Sequence, residues 1–337
     1  MRAARAFGPV TVTGGAFLLT LAPLLRFHVA PQIITAPANI HQVTRLHATN
    51  ATYLDTTALT VRRGARITAV NTVRGDVRAS DDRIAVWDSF TWIGDATTGA
   101  ELELQSQRVA FDRRTARLYN IRGAAVDGDT GVRQTGIGPF WPIGVQKRTY
   151  HVFDAKTRTS RAMTFAGVER IHGVTVYRFV QRVEPTVLAS APTRVPVSLL
   201  GLDGLRAGFP GYDAGRGDIE VDRVYEGTLT VWVDPRTGTR IDQRQQSKTV
   251  LRTKDGVDRL VVGDLTFRLS EADRRDRAIR ADRTARKIAL IRTILPLAAA
   301  VLGTAVLAVY LAARSRRGGR PVAASAPTRE TDLKEHA

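Results

Sequence analysis

The chain has 337 residues, 50 of them Lys or Arg against 32 Asp or Glu, a net charge of +18, and no cysteine. The missing thiols exclude disulfides, thiolate nucleophiles, cysteine-ligated zinc and iron–sulfur clusters. The positive charge does not make a nucleic-acid binder, because the arginines are spread along the whole chain with no helix-turn-helix or metal-finger pattern; it suits anionic lipid or polyanionic wall polymers instead.

Residues 1–6 carry Arg2 and Arg5, and residues 7–25 are uncharged. A run of this length spans a bilayer as a helix or forms the core of a cleaved signal peptide. Cleavage after Ala30 would put His28 where a small residue is wanted, and Ala36-Pro37-Ala38 lies far past the apolar run. An uncleaved anchor is therefore expected. Arg2 and Arg5 outweigh Arg26, which puts the N-terminus in the cytoplasm.

Residues 27–269 read as one exported, mainly β domain, a curved antiparallel sheet or half-barrel. Ile84, Val86, Phe90 and Trp92 share one strand parity, as do Leu229, Val231 and Val233. His172-Gly173 reads as the turn of a tight hairpin from 169 to 176. Phe111-Asp112-Arg113-Arg114-Thr115, Phe153-Asp154-Ala155-Lys156-Thr157 and Val233-Asp234-Pro235-Arg236-Thr237 share a form, an apolar strand end followed by an Asp able to cap a turn. They mark three similar hairpins or three repeats.

Residues 270–292 read as a polar stalk helix with Ser270 as N-cap and Asp273/Arg277, Asp276/Arg280 and Asp282/Arg286 spaced as i,i+4 pairs. A helix polar nearly all round bridges rather than packs. Residues 293–313 contain no charge, and about 1.5 Å of rise per residue lets them cross a hydrocarbon core of about 30 Å. With two spans both termini are cytoplasmic, the main domain is outside the plasma membrane, and residues 314–337 form a disordered tail.

The stretches 140–179 and 226–244, framed by the two spans, resemble an actinobacterial envelope family catalogued as porin PorA-like, largely of unknown function. Its most specific parts here are the strand at Thr149-Tyr150, the strand Gly173-Val174-Thr175-Val176-Tyr177-Arg178-Phe179 and the turn Trp232-Val233-Asp234-Pro235-Arg236-Thr237-Gly238. The resemblance implies an envelope location and brings no catalytic residues. The Trp-Val-Asp-Pro turn is also similar to one in lipoprotein-carrier domains, where a half-barrel surrounds acyl chains, and the two-span topology is similar to that of class B scavenger receptors.

No nucleophile-elbow, zinc-protease or phosphate-loop motif is present. No enzyme, cofactor or metal site is expected. Asp218, Glu220 and Asp222 would line one strand face, as a calcium site or as a solvated edge paired with Arg216 and Arg223. The apolar, glycine-rich loop 198–217 offers Leu199, Leu200, Leu202, Leu205 and Phe209 as a lid over a hydrophobic cavity, or as a connection covering the sheet. Trp141 is a similar candidate lip, or core. The expected function is binding of a lipid, glycolipid or other apolar envelope component for transport or assembly, with membrane lipid as surroundings. The alternatives are a scaffold with envelope-protein partners or a homo-oligomer, for which Gly14, Gly15 and Gly303 allow close helix contact, and a pore-forming oligomer.

Overall fold

In a computed structural model of the protein, residues 3–188 and 193–318 are described. The expected disordered tail lies outside them from residue 319 onward, while 314–318 continue the last helix. The chain opens with α1 (Ala3–Pro23), a π-helical turn (Leu24–Val29) and α2 (Ala30–Ile33). Strands β1 (His41–Asp55), β2 (Thr60–Gly75), β3 (Ile84–Asp95), β4 (Glu101–Asp112), β5 (Leu118–Tyr119), β6 (Ala125–Val126) and β7 (Tyr150–Asp154) follow. Next come β8 (Thr159–Ile171), β9 (Val174–Val187), β10 (Thr193–Pro196), β11 (Tyr212–Asp213), β12 (Asp218–Val233), β13 (Arg240–Thr253) and β14 (Asp258–Arg268). The chain then turns helical through α3 (Glu271–Ala289), a second π turn (Leu290–Ile294) and α4 (Leu295–Gly318).

Two compact bodies result, one from the chain ends (Met1–Ala30 and Ala289–Ala337) and one from Pro31–Ile288. In the first, α1 and α4 approach closely because neither carries a side chain at the crossing. A Cβ on Gly303 would stand 2.9 Å from the Gly15 carbonyl oxygen, and one on Gly15 would meet the Leu307 side chain at 2.8 Å. This is small-residue packing as used between membrane helices. Gly15 and Gly303 thus join helices of one chain, whereas Gly14 has open space around it.

The second body is a single antiparallel sheet in the order β5-β4-β3-β2-β1-β14-β13-β12-β9-β8-β7. It is the antiparallel sheet expected from the period-two pattern, curved into the half-barrel that the resemblance of the turn at Asp234 implied. Five of its hairpins are closed by one device. The carboxylates of Asp55, Asp95, Asp112, Asp154 and Asp234 each accept a backbone N–H two residues on, at 2.7 to 3.2 Å. Three of these are the recurrent Asp turns of the sequence; Asp55 and Asp95 are two more, without the basic residue that made the others visible. His172 and Gly173, both at positive φ, form a two-residue turn between Ile171 and Val174, as their sequence indicates.

The two ends of the strand order, β5 and β7, are joined over a short seam. Leu118 donates its N–H to the Gly136 carbonyl at 2.9 Å, Ile137 donates to the His151 carbonyl at 2.8 Å, and Phe153 donates to the Ile137 carbonyl at 3.2 Å. Ile137 therefore stands as a one-residue strand between Arg117 and Val152. Gly136 permits this: its φ is +79° and a Cβ would collide with the His151 carbonyl.

The segment after the seam fills one end of the curled sheet. Trp141 is buried against Tyr150 and Phe179, with ring centroids 5.2 and 4.7 Å away. Phe140 packs on Trp87 and Phe111 on the other side. The same end of the sheet receives α3, which corrects the expectation of a helix that bridges without packing. Ala278 and Ala281 are buried against Val174, Val176 and Ile241, and Ala285 is buried as well. Alanines three and four apart give α3 a smooth face that adds little to an apolar count, and Arg274 and Arg277 reach the sheet beside it.

Candidate binding cavity

The curled sheet encloses a cavity of about 270 Å³. Its walls come from the inward faces of the strands and are part apolar, with Leu46, Leu229, Leu265 and Phe267, and part polar. β3 contributes Ser89 and Thr91, β4 Glu103, Gln105 and Gln107, and β13 Gln243, Gln245 and Ser247. The face marked in the sequence by Phe90 and Trp92 is the outer one, and Phe90 is exposed. Leu229, by contrast, faces the cavity, and Val231 and Val233 are buried in the core below it.

Several wall groups are held in place by hydrogen bonds. Asn71 Nδ2 donates to Ser89 Oγ and Thr91 Oγ1, both at 2.8 Å. Gln181 Nε2 donates to the carbonyls of Val152 and Arg161 at 3.0 and 3.2 Å, and Gln107 Nε2 donates to Gln134 Oε1 at 2.9 Å. Lys156 pairs with Glu103 at 2.6 Å and lies 5.0 Å from the Tyr225 ring centroid. Burial first, then the nearby carboxylates of Asp154 and Glu103, push the Tyr225 phenol above its ordinary range. It remains a neutral donor in any physiological medium.

Two arginines stand at the opposite end along the strands. Arg240 opens β13, and Arg277 reaches in from α3 to the fourth residue of β1. Arg240 Nη1 donates to Gln243 Oε1 at 3.2 Å and Nη2 to the Pro139 carbonyl at 3.3 Å. Arg277 Nη1 donates to the Arg240 carbonyl at 3.2 Å and Nη2 to Thr44 Oγ1 at 2.8 Å. All four acceptors are neutral. Burial, with a smaller contribution from Arg277, pushes the Arg240 guanidinium down to about 10, and burial likewise lowers Arg277. Both stay charged near neutral pH.

The residues singled out in the sequence lie elsewhere. Leu199, Leu200, Leu205 and Phe209 pack on Val195, Ile219, Val221 and Leu251, as a connection covering the sheet would. Leu202 lines a shallow groove within its own loop, and Trp141 is core. None of the six lines the central cavity. Asp218, Glu220 and Asp222 form a salt-bridged strand face, but with Arg194 and Lys254 rather than Arg216 and Arg223. Among the described residues no cluster of three His, Asp or Glu could hold a metal ion. The polar wall of the cavity was not legible in the sequence, because the alternating Gln, Ser and Thr of β3, β4 and β13 look on any one strand like a solvated face.

Residues 7–312, both apolar helices and the whole sheet included, match the family described as Porin PorA. The chain belongs to the porin PorA family. Among its relatives, Porin PorA of Corynebacterium amycolatum is 26% identical over 161 residues, covering 41% of this chain and 42% of that protein. Porin PorA of Corynebacterium resistens is 22% identical over 306 residues, covering 68% of this chain and 73% of its own. The chain thus spans less than half the length of the first relative and about three quarters of the second. The helical stretches Val10–Ile33 and Glu271–Ser315 of this family member each contain a run long and apolar enough to cross a membrane, which in the second lies beyond α3. Family and helices together make it a membrane-associated protein.

Proposed function

We propose that this PorA-family protein is held in the plasma membrane by two helices, with both termini cytoplasmic and the sheet outside. We further propose that the central cavity binds a hydrophilic, hydroxylated envelope component for transport or assembly. The observation that carries this reading is the lining. Those wall amides and hydroxyls that have no protein partner would lose water against an acyl chain without gaining one, at about 1–3 kcal/mol for each. A ligand rich in hydroxyls would satisfy them. The leucines expected from the sequence to contact an apolar ligand do not line the cavity, whose own apolar side chains, Leu46, Leu229, Leu265 and Phe267 among them, form the rest of its wall. No catalytic role is assigned.

The test is native mass spectrometry of the detergent-extracted full-length protein, followed by chemical analysis of what travels with it. A stoichiometric hydrophilic compound is expected. A stoichiometric acyl lipid, or a protein that takes up no hydroxylated compound, would refute the reading.

The name carried by the relatives favours a second reading, a pore. The strands themselves are poor candidates for crossing lipid, since the outer face carries Arg182, Glu184, Glu226, Lys248 and Asp264. A pore would have to be built from the helices of several copies, with the open side of Gly14 available for contact. Planar-bilayer conductance that is lost in Gly14→Leu would support it over binding.

A further inference from the structure

The two arginines of the cavity are held only by neutral acceptors. Among the described residues neither Arg240 nor Arg277 forms an ion pair with a carboxylate. Asp273 and Asp242 act on Arg277 only through space and spend their hydrogen bonds elsewhere: Asp242 accepts from Arg274 at 3.3 Å, and Asp273 accepts from the Ser270 hydroxyl at 2.7 Å. Of roughly ten guanidinium N–H donors on the pair, four find protein acceptors, all of them neutral. Both side chains line the cavity, so the remaining donors have that space as their outlet. Two like charges brought together in a partly buried site are costly unless an opposite charge joins them. The only acids lining the cavity, Glu103 and Asp154, lie toward its other end and are held by Lys156 and by the β7–β8 turn.

We propose that Arg240 and Arg277 form a binding site for an oxyanion, and that the ligand of the cavity is a hydroxylated compound bearing a phosphate, sulfate or carboxylate group. The inference rests on the hydrophilic-ligand reading and adds its charge and its orientation. The anionic group would sit between α3 and the start of β13, where planar guanidinium forks match an oxyanion's geometry. The hydroxyls would meet the amides of β4 and β13.

The test uses the full-length protein in detergent, with inorganic phosphate, glucose 6-phosphate and glucose as probes in equilibrium dialysis at fixed low salt. Saturable phosphate binding at one site per chain is expected, weakened about tenfold or more in Arg277→Gln and only partly restored in Arg277→Lys, which keeps the charge but not the fork. A second variant, Gln243→Glu, leaves both arginines in place and supplies Arg240 with an internal carboxylate. It should abolish phosphate binding even if Arg277→Gln does not fold. Glucose 6-phosphate should bind more tightly than phosphate if the hydroxyl-bearing walls take part. Absence of saturable phosphate binding, binding displaced equally by chloride, or binding untouched by Gln243→Glu would overturn the site. Glucose bound equally by wild type and Gln243→Glu, with no phosphate binding, would leave the hydrophilic-ligand reading standing and remove only its anionic part. Phosphate binding lost in Gln243→Glu, with no gain for glucose 6-phosphate, would keep the oxyanion site and remove the hydroxylated ligand.

Discussion

Gly136→Ala tests whether the seam holds the curled sheet closed. At φ +79° an Ala costs about 1–2 kcal/mol relative to its own preferences. Its Cβ would run into the His151 carbonyl and stand 2.8 Å from Ser160 Oγ. Backbone cannot give way cheaply there, so the strand of Ile137 must lift, and the three hydrogen bonds through Leu118, Ile137 and Phe153 go with it. At about 0.5–1.5 kcal/mol each they add a few kcal/mol. The lower entropy of the unfolded Ala chain returns about 0.4–1 kcal/mol, leaving a net loss of about 2–5 kcal/mol. Gly173→Ala is the control: its φ is +81° but nothing lies within 4 Å of a Cβ, so only the conformational term applies, about 1 kcal/mol or less after the same entropic offset. Urea unfolding of the full-length variants in detergent measures the difference, and hydrogen exchange of the Leu118, Ile137 and Phe153 amides shows where it arises. Equal destabilisation of the two variants, or unchanged protection at the three amides, would refute the reasoning.

Gly303→Leu drives a side chain into the Gly15 carbonyl and Leu18, whereas Gly14→Leu enters open space. Cross-linking between cysteines introduced in α1 and α4 should fall sharply in the first variant and persist in the second. Ala281→Arg places a charge in the contact between α3 and the sheet and should cost about 3 kcal/mol or more in unfolding free energy; a neutral effect would mean that α3 does not pack there. Acid should weaken the domain through its turn carboxylates. Asp55 is held below its ordinary 3.8 first by the Ala58 N–H and then by Arg62. At Asp112 burial pushes upward, but the N–H groups of Thr115 and Arg114 outweigh it, and Asp95 behaves alike with Thr97 and Thr98. A depressed carboxylate stabilises fully above its unfolded value and loses that contribution as pH falls through the folded one. Asp242, raised chiefly by burial, works the other way. Unfolding midpoints should therefore hold steady down to about pH 4 and drop below it, and a midpoint that rises in acid would contradict this assignment.

The two long apolar helices were legible in the sequence alone, because an uncharged run of about twenty residues is a local signal. Strand parity and the Asp turns were equally legible, since each depends on neighbours within a few residues. Even the two extra turns at Asp55 and Asp95 could have been found by relaxing the pattern to Asp followed by Thr. Only the tertiary structure decided which strand face looks inward. Phe90 and Trp92 mark one face of β3 strongly, yet curling puts Ser89 and Thr91 inside, and nothing local to β3 encodes the sense of the curl. The seam at Gly136 and the packing of α3 depend on meetings across the fold. Arg240 and Arg277 come together for the same reason. Separated along the chain and unremarkable in an arginine-rich sequence, they acquire their chemistry only when α3 is laid against the sheet and both lose most of their water.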